Sequence, residues 1–121
     1  MLQDSATSQA NYERFISRVL ESGEVWGIQH EDGTWATSES NEYEDTVVYL
    51  FWSDKAYAQR QCKEEWNNSE PSKILLDSFI DNWLKGMHED GHLVGPNWDA
   101  QLFGKEIEPI EIAEQLTNIH S

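Results

Sequence analysis

Val47, Val48, Tyr49, Leu50, Phe51 and Trp52 form an unbroken apolar, mainly β-preferring run, the pattern of a strand covered on both faces and hence central in a sheet. Ser53 is suited to cap a following helix, and Asp54 to its first turn, where a carboxylate complements the helix dipole. From there the apolar positions change to helical spacing, with Tyr57, Ala58, Cys62 and Trp66 on one face. Upstream, residues 1–7 read as a disordered polar lead, and Ser8 caps a helix whose stripe is Tyr12, Phe15, Ile16, Val19 and Leu20. Gly23 ends it.

The segments 24–29 and 34–37 flank His30-Glu31-Asp32-Gly33, whose Asp-Gly pair signals a hairpin. Gly27, between Trp26 and Ile28, leaves a gap on the pleated surface for an aromatic such as Trp35. Residues 38–45 carry Glu39, Glu42, Glu44 and Asp45 and predict an exposed acidic loop. After a loop over 67–72, Lys73–Leu76 predicts a strand, and Asp77 caps a helix striped with Phe79, Ile80, Trp83, Leu84 and Met87 and stopped by Gly91. Strand–helix–strand–helix order predicts a right-handed crossover with a parallel pair inside residues 46–76. Residues 92–95 and 101–104 are expected as edge strands around Pro96-Asn97-Trp98-Asp99. Pro109 opens a last helix on Ile112, Ala113, Leu116 and Ile119. The sum is a single α+β domain over residues 1–121: an N-terminal helix, a β-hairpin, then strand–helix–strand–helix. It has four helices and a mixed sheet of about four to six strands.

Composition sharpens this picture. The chain has 121 residues, 38% of them hydrophobic and six of them Trp, enough for one core without metal or disulfide staples. Its 23 acidic and 8 basic residues give a net charge of −15, a field that repels phosphate backbones and anionic lipid. Nucleic acid and membrane are thereby disfavoured as partners, and a basic protein favoured; a homodimer stays open. The single cysteine cannot form an internal disulfide, and neither a signal peptide nor a membrane-spanning run is visible, so a cytoplasmic protein is expected.

His88-Glu89-Asp90-Gly91-His92 matches the zinc-peptidase pattern His-Glu-x-x-His, with Glu108 or Glu111 as a third ligand. That chemistry needs both imidazoles one turn apart on an intact helix, and Gly91 instead predicts a helix stop between them. A metal-dependent hydrolase through His88, Glu89 and His92 is therefore the alternative reading; no metal or other cofactor is expected. Cys62 reads as a structural thiol, Asp77 as a cap and Asp81 as a solvated residue rather than a catalytic pair. No phosphate-binding glycine loop or nucleophile elbow is present, so a non-enzymatic role is favoured. Trp66 and Trp98, near loops, are candidates to bind a partner beside the acidic residues Glu42, Glu44 and Asp45.

Val25-Trp26-Gly27, Trp35-Ala36, Leu50-Phe51-Trp52 with Tyr57-Ala58 and Cys62, Leu76-Asp77-x-Phe79-Ile80 with Trp83-Leu84, and Asp90-Gly91 with Val94 together resemble an uncharacterised bacterial family, the domain of unknown function numbered twenty-seven-fifty. The resemblance spans residues 12 to about 104 and implies a small bacterial cytosolic α+β protein with no catalytic residue to transfer. More loosely, the segment from Phe51 to Cys62 is similar to small immunity proteins that neutralise toxins. That likeness implies an acidic blocker of a basic partner.

Overall fold

The structure, a computed structural model, describes residues 5–117. Residues 1–4 of the expected lead, and Ile119, lie outside the described residues. Helix α1 (Ser5–Ser22) buries Tyr12, Phe15 and Val19 as its spacing dictates. It already includes residues 5–7, which were expected as lead, so Ser8 is a buried residue inside the helix rather than its cap. Strand β1 (Glu24–Gln29) follows, then β2 (Thr37–Glu39) and β3 (Val47–Phe51). Helix α2 (Lys55–Gln59) is short, and Asp54 rather than Ser53 occupies its N-cap position. Strand β4 (Glu70–Leu75) leads into α3, a continuous helix made of α-helical Leu76–Ser78, π-helical Phe79–Leu84 and α-helical Lys85–Asp90. Leu75, not Asp77, is its N-cap residue. Strand β5 (Leu93–Pro96) and α4 (Pro109–Thr117) complete a single α+β domain with four helices among the described residues.

The strands form two small sheets: β1 with β4, antiparallel, and β2–β3–β5, in which β2 is antiparallel and β5 parallel to β3. Trp26 and Trp52 stitch the two together by exchanging backbone N–H···O bonds of 2.8 and 2.7 Å. The central position of β3 agrees with its apolar run. The expected parallel pairing within residues 46–76 does not form, because β4 returns to pair with β1 and β3 takes β5 as its parallel partner. Strand β4 also absorbs Glu70-Pro71-Ser72, expected as loop; β4 pairs only with β1, and an edge strand tolerates the missing proline donor. The hairpin at Gly33 closes through His30 N–H to Thr34 O (2.8 Å), but its second arm bridges β1 only at Trp35 before moving to β3. Residues 101–104 form a turn rather than a strand, with Leu102 at φ +59°.

Alternation along β3 divides the core. Phe51 faces a cluster with Phe15 and Val19 of α1, Phe79, Leu84 and Met87 of α3, and Ile112 and Leu116 of α4. Val48 and Leu50 face the opposite way, onto Ile28, Trp52, Ala58, Leu93 and Trp98. The second cluster is roofed by α2 and the turn after β5. Side chains of period two on a strand covered from both sides produce this two-sided core. Tyr12 pins α1 to α4 by donating its hydroxyl to Glu111 Oε2 at 3.3 Å, and burial, with that carboxylate beside it, pushes the phenol well above its ordinary pKa.

Candidate functional site

The histidine pair sits at the end of α3. Gly91 takes a left-handed φ of +77°, His92 N–H donates to Met87 O at 2.9 Å, and the helix stops between His88 and His92. His88 is exposed on the helix, whereas His92 has passed onto the approach to β5, its ring 5.3 Å from Tyr49. The one-turn pairing that a zinc-peptidase helix requires is therefore not formed. Among the described residues no group of three or more His, Cys, Asp or Glu side chains is placed to hold a metal ion. Glu111, the third-ligand candidate, bonds Tyr12, and Glu108 is exposed.

Cys62 lies beyond α2 rather than on its face, half-buried against the second cluster, with Sγ 3.6 Å from Ala58 O. Burial first, and Glu70 second, push its thiol upward, away from the thiolate that a nucleophile needs. Asp77 and Asp81 are exposed.

The tryptophans correct the sequence reading. Trp98, expected near the surface, is 3% exposed, and its Nε1–H donates to Lys105 O at 2.8 Å. Its indole fills space left by Gly95, where a Cβ would stand 2.7 Å from Cε2; glycines on either side of a loop tryptophan, Gly95 and Gly104, were the available signal. Trp52 is fully enclosed, whereas Trp26, Trp35 and Trp83 are half-buried, Trp35 and Trp83 packed against the first cluster and Trp26 against the second. Trp66 is half-buried, its ring tilted 49° to that of His30 with centroids 5.7 Å apart, while His30 Nδ1 lies 2.6 Å from Ser69 Oγ.

Glu42, Glu44 and Asp45 are exposed in the loop between β2 and β3, around a Tyr43 that is 59% exposed. The loop is tethered at its start: Ser40 Oγ–H and Asn41 N–H donate to the two carboxylate oxygens of Glu106. Trp66 lines a different depression, with Glu65 and Asn68, so the structure does not bring the two tryptophans together beside the acidic loop.

A further site is assembled from residues far apart in the chain. A cleft of about 520 Å³ opens between α1, α2 and the turn after β5, walled by Asn11 and Arg14 on one side and Tyr57 and Arg60 on another. Asn97 closes its base, buried and at φ +50°. Its Oδ1 accepts Ser53 N–H at 2.8 Å, and its Nδ2 donates to Ser53 Oγ and Asn11 O at 3.0 and 3.4 Å. Beneath it, Trp52 Nε1–H donates to Trp98 O at 3.0 Å. Arg18, one turn along α1, clamps Asp54 with bonds of 2.7 and 2.6 Å and holds that carboxyl below its ordinary range. All three arginines of the chain thus come from the helices that wall this cleft or from the residue beside it.

No helix of the described residues is long and apolar enough to cross a membrane. Neither a curated protein nor a solved structure matches the chain. One family model does match, over residues 12–116, from the middle of α1 to near the end of α4 and so across both clusters and every strand. The chain belongs to the family described as proteins of unknown function, DUF2750.

Proposed function

We propose that the chain is a binding module rather than an enzyme, and that its acidic face engages a basic protein in the manner of an immunity or inhibitor protein. The observation that supports this reading is the loop between β2 and β3, where Glu42, Glu44 and Asp45 surround an exposed Tyr43 on a segment anchored by Glu106. Anchoring lowers the ordering cost of binding, and an aromatic ring within a charged rim supplies contact area. The net charge of −15 adds long-range attraction for a basic partner and raises its encounter rate. Trp98, being enclosed, has no part in this surface, and Trp66 lies on another depression.

Titration of isotope-labelled protein with a short polylysine probe tests the reading. Chemical-shift changes are expected to concentrate on residues 39–47, and the triple variant Glu42→Gln, Glu44→Gln, Asp45→Asn to weaken binding about tenfold. A control triple, Glu21→Gln, Glu89→Gln, Glu114→Gln, removes the same charge from exposed sites elsewhere and leaves binding within about twofold. Equal losses in the two triples would reduce the effect to net charge and overturn the proposal.

A further inference from the structure

We propose that the cleft between α1, α2 and the turn after β5 is a site for the phosphoryl group of a small phosphate monoester, held by Arg14 and Arg60. Two positive groups line one cleft on a chain with 23 acidic residues, and neither makes a close ion pair: those of the described residues are Arg18–Asp54 and Lys73–Glu24, and Arg14 acts on Asp54 only from a distance, behind the Arg18 clamp. Neutral partners orient both instead. Arg14 Nη1 donates to Asn11 Oδ1 at 3.0 Å, and the Arg60 guanidinium lies 5.0 Å from the centre of the Tyr57 ring. Such partners fix direction without neutralising charge, and leave the remaining N–H donors of each fork for a ligand.

The volume of about 520 Å³ suits a small molecule rather than a peptide strand. A single Arg fork already satisfies the two oxygens of a carboxylate, whereas the three terminal oxygens of a phosphate monoester can accept from two forks on different walls. One carboxylate, Asp99, also lines the cleft, and its Oδ1 is occupied by the N–H groups of Gln101 and Phe103 at 2.9 and 3.1 Å. Asn97, whose three hydrogen bonds tie α1 to the β3–α2 junction, makes the base of the cleft rigid.

This site is separate from the acidic loop and shares no residue with it, so it stands or falls independently of the proposal above. The test is titration of labelled protein, in a buffer free of phosphate, with phenyl phosphate, inorganic phosphate and benzoate. Phenyl phosphate is expected to give saturable shifts confined to residues 11–14, 57–61 and 97–101, inorganic phosphate the same pattern more weakly, and benzoate binding roughly tenfold weaker than phenyl phosphate. Arg14→Gln and Arg60→Gln each weaken phenyl phosphate binding roughly tenfold, while Lys73→Gln, whose partner is Glu24 on β1, leaves it unchanged. Arg60→Lys keeps the charge but not the fork, and gives an intermediate loss even if a neutral variant folds poorly. Shifts that do not saturate, shifts scattered over the surface, benzoate binding as tightly as phenyl phosphate, or affinity unmoved by the arginine variants would each overturn it.

Discussion

Gly27 is a place where the lack of one side chain sets the packing of three elements. A Cβ there would stand 2.8 Å from Cε3 and Cζ3 of Trp35, whose ring in turn packs edge-on against Trp83 at 4.7 Å. Gly27→Ala forces that ring off α3 and is expected to cost about 1–3 kcal/mol, read from urea unfolding. The gap was legible in the sequence because a glycine between Trp26 and Ile28 on a strand leaves room only on its own face. Asn97 was not legible. Its left-handed backbone and buried amide matter only because Ser53 and Asn11 arrive from 44 and 86 residues away. Asn97→Gly keeps the backbone angle but loses the three bonds, with an expected loss of about 2–3 kcal/mol; Asn97→Ala adds strain and falls about 1 kcal/mol lower still. Equal stability of the two variants in thermal unfolding would show that the backbone angle carries no strain.

At the scale of elements, stripes and stops followed from local rules while partners did not. The end of α3 is an example: Gly91 at φ +77° lets His92 N–H reach back to Met87 O, as a left-handed stop predicts. Gly91→Ala is expected to destabilise by about 1–2 kcal/mol, with faster amide exchange at His92 as the local readout. Within the same helix, the π-helical turn brings Phe79 and Leu84, five residues apart, into one core cluster. A stripe of Phe79, Ile80, Trp83, Leu84 and Met87 satisfies ordinary α spacing equally well, so the sequence carried no mark of the widening. Helix α2 went the other way. Its predicted face through Cys62 and Trp66 breaks after Gln59, and the chain re-forms only a short 3₁₀ turn at Glu64–Trp66, with Glu64 at φ +53°.

For the molecule as a whole, the excess of acid makes the few charge-compensating contacts count. The Arg18–Asp54 clamp ties α1 to the junction of β3 and α2, and its hydrogen bonds hold the Asp54 carboxyl below the ordinary aspartate value near 3.8. A carboxyl lowered on folding contributes stability that is fully present above the unfolded value and disappears as pH falls through the folded one. Acid titration of the thermal midpoint is therefore expected to fall below about pH 4 in the native chain. The fall should be shallower in Asp54→Asn, and identical acid limbs in the two proteins would remove the clamp from the account.

What the sequence determined by itself is the set of pieces: a greasy central strand, helices with single apolar stripes, left-handed stops at Gly23 and Gly91, and a strongly acidic surface. These depend on spacing and capping within a turn or two of chain, which any reader of the residues can apply. Only the tertiary structure decided that β4 pairs with β1, that Trp98 lies under Gly95 and Gly104, and that Asn11, Arg14, Tyr57, Arg60 and Asn97 wall one cleft. Contacts between distant residues are selected by the fit of whole surfaces, and no short stretch of the chain records which surface it will meet.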